Sequence, residues 1–221
     1  MAIGTYHLLE LQIASNPADT RRVMPAIRSE HRHILDVGCG AGQTLLASAL
    51  GREVTAIGID RDAEALKLGR RLGDRVQFVC ARGETLPIKS GYFDLVMSRV
   101  ALPYMNTRSA LGEMARVLRP GGSIWIALHP AARELDAFVR SVGGLRLRDA
   151  LHRLYVLANG ALSHFLGREF ALPLTARYES FQTEAGIVRQ LRRLGFEDIK
   201  VQNKVFFVVT ATKPVTRGAE A

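Results

Sequence analysis

The sequence is poor in cysteine, with only Cys39 and Cys80 among 221 residues. The two lack metal-ligand spacing, so no metal site is expected. So few thiols point to a reducing compartment rather than a disulfide framework. No apolar run approaches the roughly 20 residues that span a bilayer. No secretory leader is read at the start, and no transmembrane segment within, so the cytoplasm is the expected location. Internal repeats and low-complexity tracts are also missing. Acidic residues are outnumbered, 21 against 30 basic, giving a net charge of +9 and a sequence pI of about 10.1. That balance admits nucleic acid, an anionic membrane surface or an acidic substrate as partner. A plain solvated surface is admitted equally. Hydrophobic residues make up 48% of the chain, enough for one soluble globular domain with a substantial core and room for an added subdomain.

The chain is organised around His33-Ile34-Leu35-Asp36-Val37-Gly38-Cys39-Gly40-Ala41-Gly42-Gln43. Ile34 to Val37 reads as a buried strand, and Thr44 to Leu50 reads as a helix. Strand, glycine turn and helix open a nucleotide-binding βαβ unit. Glycine permits positive φ, and a Cβ at Gly38 or Gly40 would obstruct approach of a ligand to the backbone. The helix would start with free N–H groups near that ligand. A dinucleotide fingerprint requires G-x-G-x-x-G, and here Gln43 stands where the third of those glycines belongs. Asp36, just before the first glycine, would oppose a pyrophosphate but suits an ammonium group.

The D-V-G-C-G-A-G stretch resembles the first motif of class I S-adenosylmethionine-dependent methyltransferases. The resemblance covers residues 34 to 128 well and the C-terminal hairpin loosely. It implies a Rossmann-like α/β fold: a doubly wound, seven-stranded, mostly parallel sheet with an antiparallel last strand and a helical cap insertion. The cofactor it implies is S-adenosylmethionine, a nucleoside carrying a sulfonium and an amino-acid tail. Further segments carry the likeness. Val54 to Ile59 is an apolar second strand ending at Asp60, 18 residues after Gly42. An acid at about that spacing meets a ribose, and it can accept from both hydroxyls. Its other reading is the N-cap of a helix over 63–71, which Asp62 could supply instead. Val76 to Cys80 is a third strand. Gly83-Glu84-Thr85-Leu86-Pro87 is similar to the family's adenine-side segment, with Arg82 in place of its usual aspartate. Tyr92 to Ser98 reads as the fourth strand, with the F-D-L-V pattern. Ser98, Arg99 and Val100 at its end should line the methionine side. Where the family often has a histidine pair, Pro103-Tyr104 stands. Asn106 or Thr107 caps a helix running to Leu118, and Pro120 with the glycines ends it. Glu113 to Gly122 matches the family's scaffold signature. Ser123 to Leu128 is the fifth strand, ending at His129.

Residues 1–32 are expected to form a short helix around Leu8 to Ile13 and a second over 18–29. Together they would act as a lid with Tyr6 or His7 facing the site. Residues 131–181 read as a helical cap insertion. Leu135, Phe138, Val139 and Val142 form one stripe there, broken at Gly143-Gly144. Leu147, Leu151, Leu154, Tyr155 and Ala158 form another, with Arg146, Arg148 and Arg153 on the polar face. A helix over 184–194, strands at Val201 and at 205–211 joined near Gln202-Asn203, and a frayed tail complete the chain.

The resemblance is strongest to the small-molecule group that includes ubiquinone and menaquinone methylation enzymes (methyltransferase type 11). It implies methyl transfer from S-adenosylmethionine to a small-molecule or lipid-like acceptor. The expected cofactor set is Asp36, Gly38, Cys39, Gly40, Gly42, Asp60, Arg61, Gly83, Glu84, Ser98 and Arg99. His129 is the candidate base. Nucleic-acid methylation rests on charge alone and lacks an N-P-P-Y-type motif, so it ranks lower. A non-catalytic protein retaining the fold is the other reading. Peripheral membrane contact stays open, as does the choice between monomer and homodimer.

Overall fold

The computed structural model describes residues 3–132, 136, 140, 147–172, 177–203 and 205–215. A helix over Ile3–Ser15 (α1) comes first. The sheet then begins with His33–Val37 (β1), followed by a single turn of helix, Gln43–Leu46 (α2). Thr55–Asp60 (β2), Ala63–Leu72 (α3) and Val76–Cys80 (β3) follow. Phe93–Arg99 (β4) leads through a 3₁₀ turn, Leu102–Tyr104, into Thr107–Val117 (α4) and Leu118–Leu128 (β5). Leu147–Leu166 (α5), Glu184–Arg193 (α6), Glu197–Asn203 (β6) and Phe207–Thr212 (β7) complete the order.

The seven strands lie in the order β3-β2-β1-β4-β5-β7-β6. β1 to β5 run parallel, and β7 is antiparallel to both neighbours. The chain winds outward from β1 to β3, then crosses to β4 on the other side of β1. The carboxyl ends of β1 and β4 therefore flank a crevice at the point where the winding reverses, which is where such sheets hold ligands. β1 and β4 are apolar on both faces because helices or chain segments cover both. One face packs Leu35, Val37, Val96, Ile126 and Leu111. The other packs Ile34, Leu45, Met97, Trp125 and Phe78.

Scaffold residues from the matching motifs fix the sheet. Asp94 Oδ2 accepts from the Arg32 and His33 N–H groups, each at 2.7 Å, and its Oδ1 binds Arg119. The F-D-L-V aspartate thus anchors the start of β1. Glu113 Oε2 accepts from Leu86 N–H at 2.7 Å, while Arg116 grips both Glu113 oxygens and donates to the Leu86 and Ile88 carbonyls. This pair holds the loop after β3 against α4.

Several expected boundaries differ. No helix forms over 18–29. Pro25 removes a donor and disfavours helical geometry at Met24, and Asp19 folds back onto Arg21 N–H in a local turn. α2 stops at Leu46 rather than 50, where Ser48 Oγ takes the Thr44 carbonyl that a longer helix would use. Pro120-Gly121-Gly122 lies inside β5, not after a helix. α4 has already ended at Val117, and Gly121 N–H and Gly122 C=O bond to Lys213. β6 continues through Asn203, which pairs with Phe207, so the turn falls one to three residues later than expected. Leu135, Phe138, Val139, Val142, Gly143, Gly144 and Arg146 lie outside the described residues, as does the tail beyond Val215.

Candidate active site

The glycine turn is fastened to the end of β2. Gly38 and Cys39 N–H groups both donate to the Ile59 carbonyl, at 2.8 and 3.0 Å. Gly40 N–H donates to Asp60 Oδ2 at 2.8 Å, and Asp60 Oδ1 accepts from Asp62 N–H at 2.9 Å. Asp62 itself caps α3, accepting from Glu64 and Ala65 N–H. The capping role therefore falls to Asp62, and the Asp60 carboxylate stays at the cavity wall. Gly38, Gly40 and Gly42 all have positive φ, at 76°, 56° and 76°, a conformation costly for residues with a Cβ.

Two joined cavities run along this turn. One, of about 250 Å³, is lined by Gly38, Asp60, Arg61, Gly83, Glu84 and Met105 among others. The second, about 180 Å³, lies between α1 and the turn and is lined by Tyr6, His7, Asp36, Cys39, Gly40, Gln43 and Arg99. They share Gly38, Asp60, Ala101 and Tyr104. Of the expected cofactor set, nine residues meet at these cavities. Ser98 and Gly42 line neither of them. Ser98 is fully buried, and its Oγ donates to the Val37 carbonyl at 2.9 Å; strand alternation puts it on the same face of the sheet as Val96. Gly42 stands behind the turn: a Cβ there would lie 2.6 Å from the Phe78 ring. The reason glycine is needed at the other positions is also corrected. A Cβ on Gly38 would meet Ala101 Cβ at 2.2 Å, and one on Gly40 would meet the His7 ring at 2.9 Å. Protein neighbours already occupy the positions where those Cβ atoms would stand.

α1 closes the smaller cavity through polar contacts. Gln43 Nε2 lies 2.7 Å from His7 Nδ1. Arg99 reaches Glu10 on α1 at 3.0 Å and Thr44 Oγ1 at 3.2 Å. Val100, next along, holds φ at 61°, which is strained for a β-branched residue. Its N–H is anchored on the Ala127 carbonyl.

The electrostatics centre on Asp36. It is 1% exposed, and its Oδ1 has no hydrogen-bond partner. Burial pushes its carboxyl up to about 7; the Arg99 guanidinium opposes that rise and the Asp60 charge adds to it. Burial, with the charges of Asp36 and Asp60, raises the Cys39 thiol well above its usual range, so Cys39 is an inert wall residue. A buried acceptor without a partner is costly unless a cationic or N–H group meets it. At the other end Glu84 Oε1 accepts from Asn106 N–H at 3.0 Å, which fixes the loop after β3 to the start of α4. Gln43, Thr44, Ala101, Tyr104 and Met105 were missed in the sequence. The 3₁₀ turn after β4 supplies Tyr104, and its two flanking residues are Ala101 and Met105; the turn's position past a strand's carboxyl end was the available signal.

His129 follows β5 and lines neither cavity. Its ring stacks on Phe206, with centroids 4.7 Å apart.

Comparison with known proteins agrees with this geometry. Residues 35–126 match the family model described as a methyltransferase domain. The chain is 35% identical over 134 residues to the uncharacterized methyltransferase YcgJ of Bacillus subtilis, a match spanning 57% of this chain and 51% of YcgJ. It is 27% identical over 195 residues to the ubiquinone/menaquinone biosynthesis C-methyltransferase UbiE of Campylobacter jejuni, covering 85% and 80% respectively. The chain spans about half or less of the length of several curated relatives it matches. The fold is shared with the 1,6-didemethyltoxoflavin-N1-methyltransferase of Burkholderia thailandensis, solved with bound 1,6-didemethyltoxoflavin and S-adenosylhomocysteine. That structure has a TM-score of 0.52 at 20% identity, covering 82% of this chain and 71% of that one. No described helix is long and apolar enough to cross a membrane, and no cluster of metal-ligating side chains occurs among the described residues.

Proposed function

We propose that this protein transfers a methyl group from S-adenosylmethionine to a small-molecule or lipid-like acceptor. The observation that carries the reading is the partnerless, buried Asp36 oxygen beside the glycine turn, with Asp60 at the junction of the two cavities. Asp36 and Asp60 divide the ligand between them: an ammonium for the first, ribose hydroxyls for the second. Gly83 and Glu84 take the adenine side, with Arg61 alongside. S-adenosylmethionine supplies a methyl on a positively charged sulfur, so the protein's task is mainly to position the acceptor and exclude water.

The whole chain works as one domain. α1 and the segment after it serve as a lid, and α5 as part of a cap over the acceptor. Leu151, Leu154, Phe165 and Leu166 are exposed on α5, apolar surface that favours a lipid-like acceptor over a strongly polar one. His129, at the end of β5 outside the cofactor cavities, contacts the acceptor and takes its proton. The Phe206 ring holds the imidazole in place.

A product-mass screen of quinol, phenol and amine acceptors with S-adenosylmethionine tests the activity. A mass gain of one methyl in any acceptor is the expected result; none across the classes, with the cofactor bound, contradicts it. His129→Ala should then lower turnover by roughly ten- to ten-thousand-fold and leave cofactor affinity unchanged. Unaltered turnover would make His129 a structural residue.

A further inference from the structure

Away from the methyl-transfer cleft, a cavity of about 140 Å³ lies where α4, α6 and the end of α5 meet. It is lined by Arg108, Gly167, Gln190, Arg193 and Leu194. Gln190 is 6% exposed, and neither its Nε2 nor its Oε1 has a hydrogen-bond partner. A buried primary amide with both ends unmet is rare in a folded protein and marks a missing partner. The side chains of Arg108 and Arg193 form no ion pair or hydrogen bond among the described residues. Arg193 Nη1 lies 3.3 Å from where a Cβ on Gly167 would stand, so any larger residue there would crowd the guanidinium. Gly167 has φ of 65° and its N–H is already bonded to Ser163.

We propose that this cavity binds a hydrogen phosphate group. Two guanidinium groups match its negative charge and offer paired N–H donors to its oxygens. Gln190 Nε2 donates to another oxygen. Gln190 Oε1 needs a donor, and the remaining P–OH of hydrogen phosphate supplies one. Sulfate, which carries no O–H at neutral pH, would leave that carbonyl unmet. The same chemistry is presented by the free ion and by the singly protonated form of a phosphomonoester, whose second pKa of about 6 leaves it a minor species at neutral pH. The site does not depend on the methyl-transfer reading, because none of its residues lines the cofactor cavities.

Calorimetric titration of the full chain at low, matched ionic strength tests the proposal, with inorganic phosphate, sn-glycerol 3-phosphate, sulfate and chloride as ligands. Saturable binding of phosphate at one site per chain, at least tenfold tighter than sulfate, is the expected result. Gln190→Met and the double variant Arg108→Gln/Arg193→Gln should each weaken it at least tenfold while the circular dichroism spectrum stays unchanged. Gln190→Met should also unfold at a higher temperature in phosphate-free buffer, because it removes the orphaned amide. Tighter binding of glycerol 3-phosphate than of inorganic phosphate assigns the site to a phosphorylated small molecule; the reverse assigns it to the free ion. Equal affinity for sulfate, no saturable binding, or binding that survives both variants overturns the proposal.

Discussion

The Asp60 carboxylate accepts the Gly40 N–H at 2.8 Å, so the residue we propose to meet the ribose also holds the glycine turn in shape. The two roles share one side chain. Binding determinant and turn geometry cannot be separated by deleting it.

Asp60→Ala should therefore weaken S-adenosylmethionine binding through two losses, the ribose contacts and a looser turn. Charge-assisted hydrogen bonds of this kind sum to a cost on the order of 2–4 kcal/mol. Asp60→Asn should recover part of the turn but less of the affinity. Titration of the cofactor into both variants checks this; unchanged affinity in Asp60→Ala would leave Asp60 as a turn residue only.

Gly40→Ala should lower affinity at least tenfold and also lower the melting temperature. The added Cβ meets the His7 ring at 2.9 Å and sits at φ of 56°. Adding His7→Ala should restore only the steric part, because left-handed backbone still costs roughly 1–2 kcal/mol. Full recovery in the double variant would mean that the strain is negligible, and no recovery would mean that the α1 contact is not the obstacle.

Much of this site was legible in the chain because its determinants are local. Strand, glycine turn and acidic strand end lie within consecutive stretches, and so do the F-D-L-V and L-R-P-G-G scaffold motifs. Contacts between distant segments were not legible. The His7–Gln43 contact spans 36 residues and the Arg99–Glu10 contact 89, and no periodicity announces either. Ser98 was expected at the pocket from its nearness to a strand end, and the structure places its Oγ on the Val37 carbonyl instead. The expected helix over 18–29 failed on Pro25, whose effect outweighed the helical spacing around it. The orphaned amide of Gln190 lies on a helix that reads as ordinary, and only packing reveals it.

Cofactor binding should depend on pH through Asp36. Its carboxyl is raised to about 7 in the folded protein from an ordinary value of 3.8. Between those values the folded state holds a proton that the unfolded state has lost. The stabilising contribution of that proton is fully present below the ordinary value and disappears as pH rises through about 7. An ammonium ligand favours the ionised form, so affinity for the cofactor should rise nearly tenfold per pH unit from 5 to 6 and level off above 7. Asp36→Asn should bind more weakly, show a flat profile over pH 5–7, and unfold at a higher temperature than the wild type at pH 8. A wild-type profile without slope would contradict the role given to Asp36.

Glu113 should behave in the opposite sense. Its carboxyl is held below the usual range first by Arg116 and also by Leu86 N–H, against a burial effect that raises it. Its contribution to stability is present above the ordinary value of 4.5 and is lost as pH falls through the lowered one. Glu113→Ala leaves the Leu86 N–H and Arg116 without their acceptor, a cost of about 1–3 kcal/mol. Thermal unfolding at pH 7 and pH 3.5 should differ less for the variant than for the wild type. Cofactor affinity should also drop a few-fold, because the loop bearing Gly83 and Glu84 loses its tether. An unchanged melting temperature at pH 7 would remove Glu113 from the scaffold.

Calorimetric titration of S-adenosylmethionine into the full chain at neutral pH tests the central claim most directly. The expected result is one saturable site per chain, with binding abolished by Gly38→Val, whose side chain would run into Ala101. No saturable heat in the wild type, or undiminished binding in folded Gly38→Val, would contradict the assignment of the glycine-turn cavities to the cofactor.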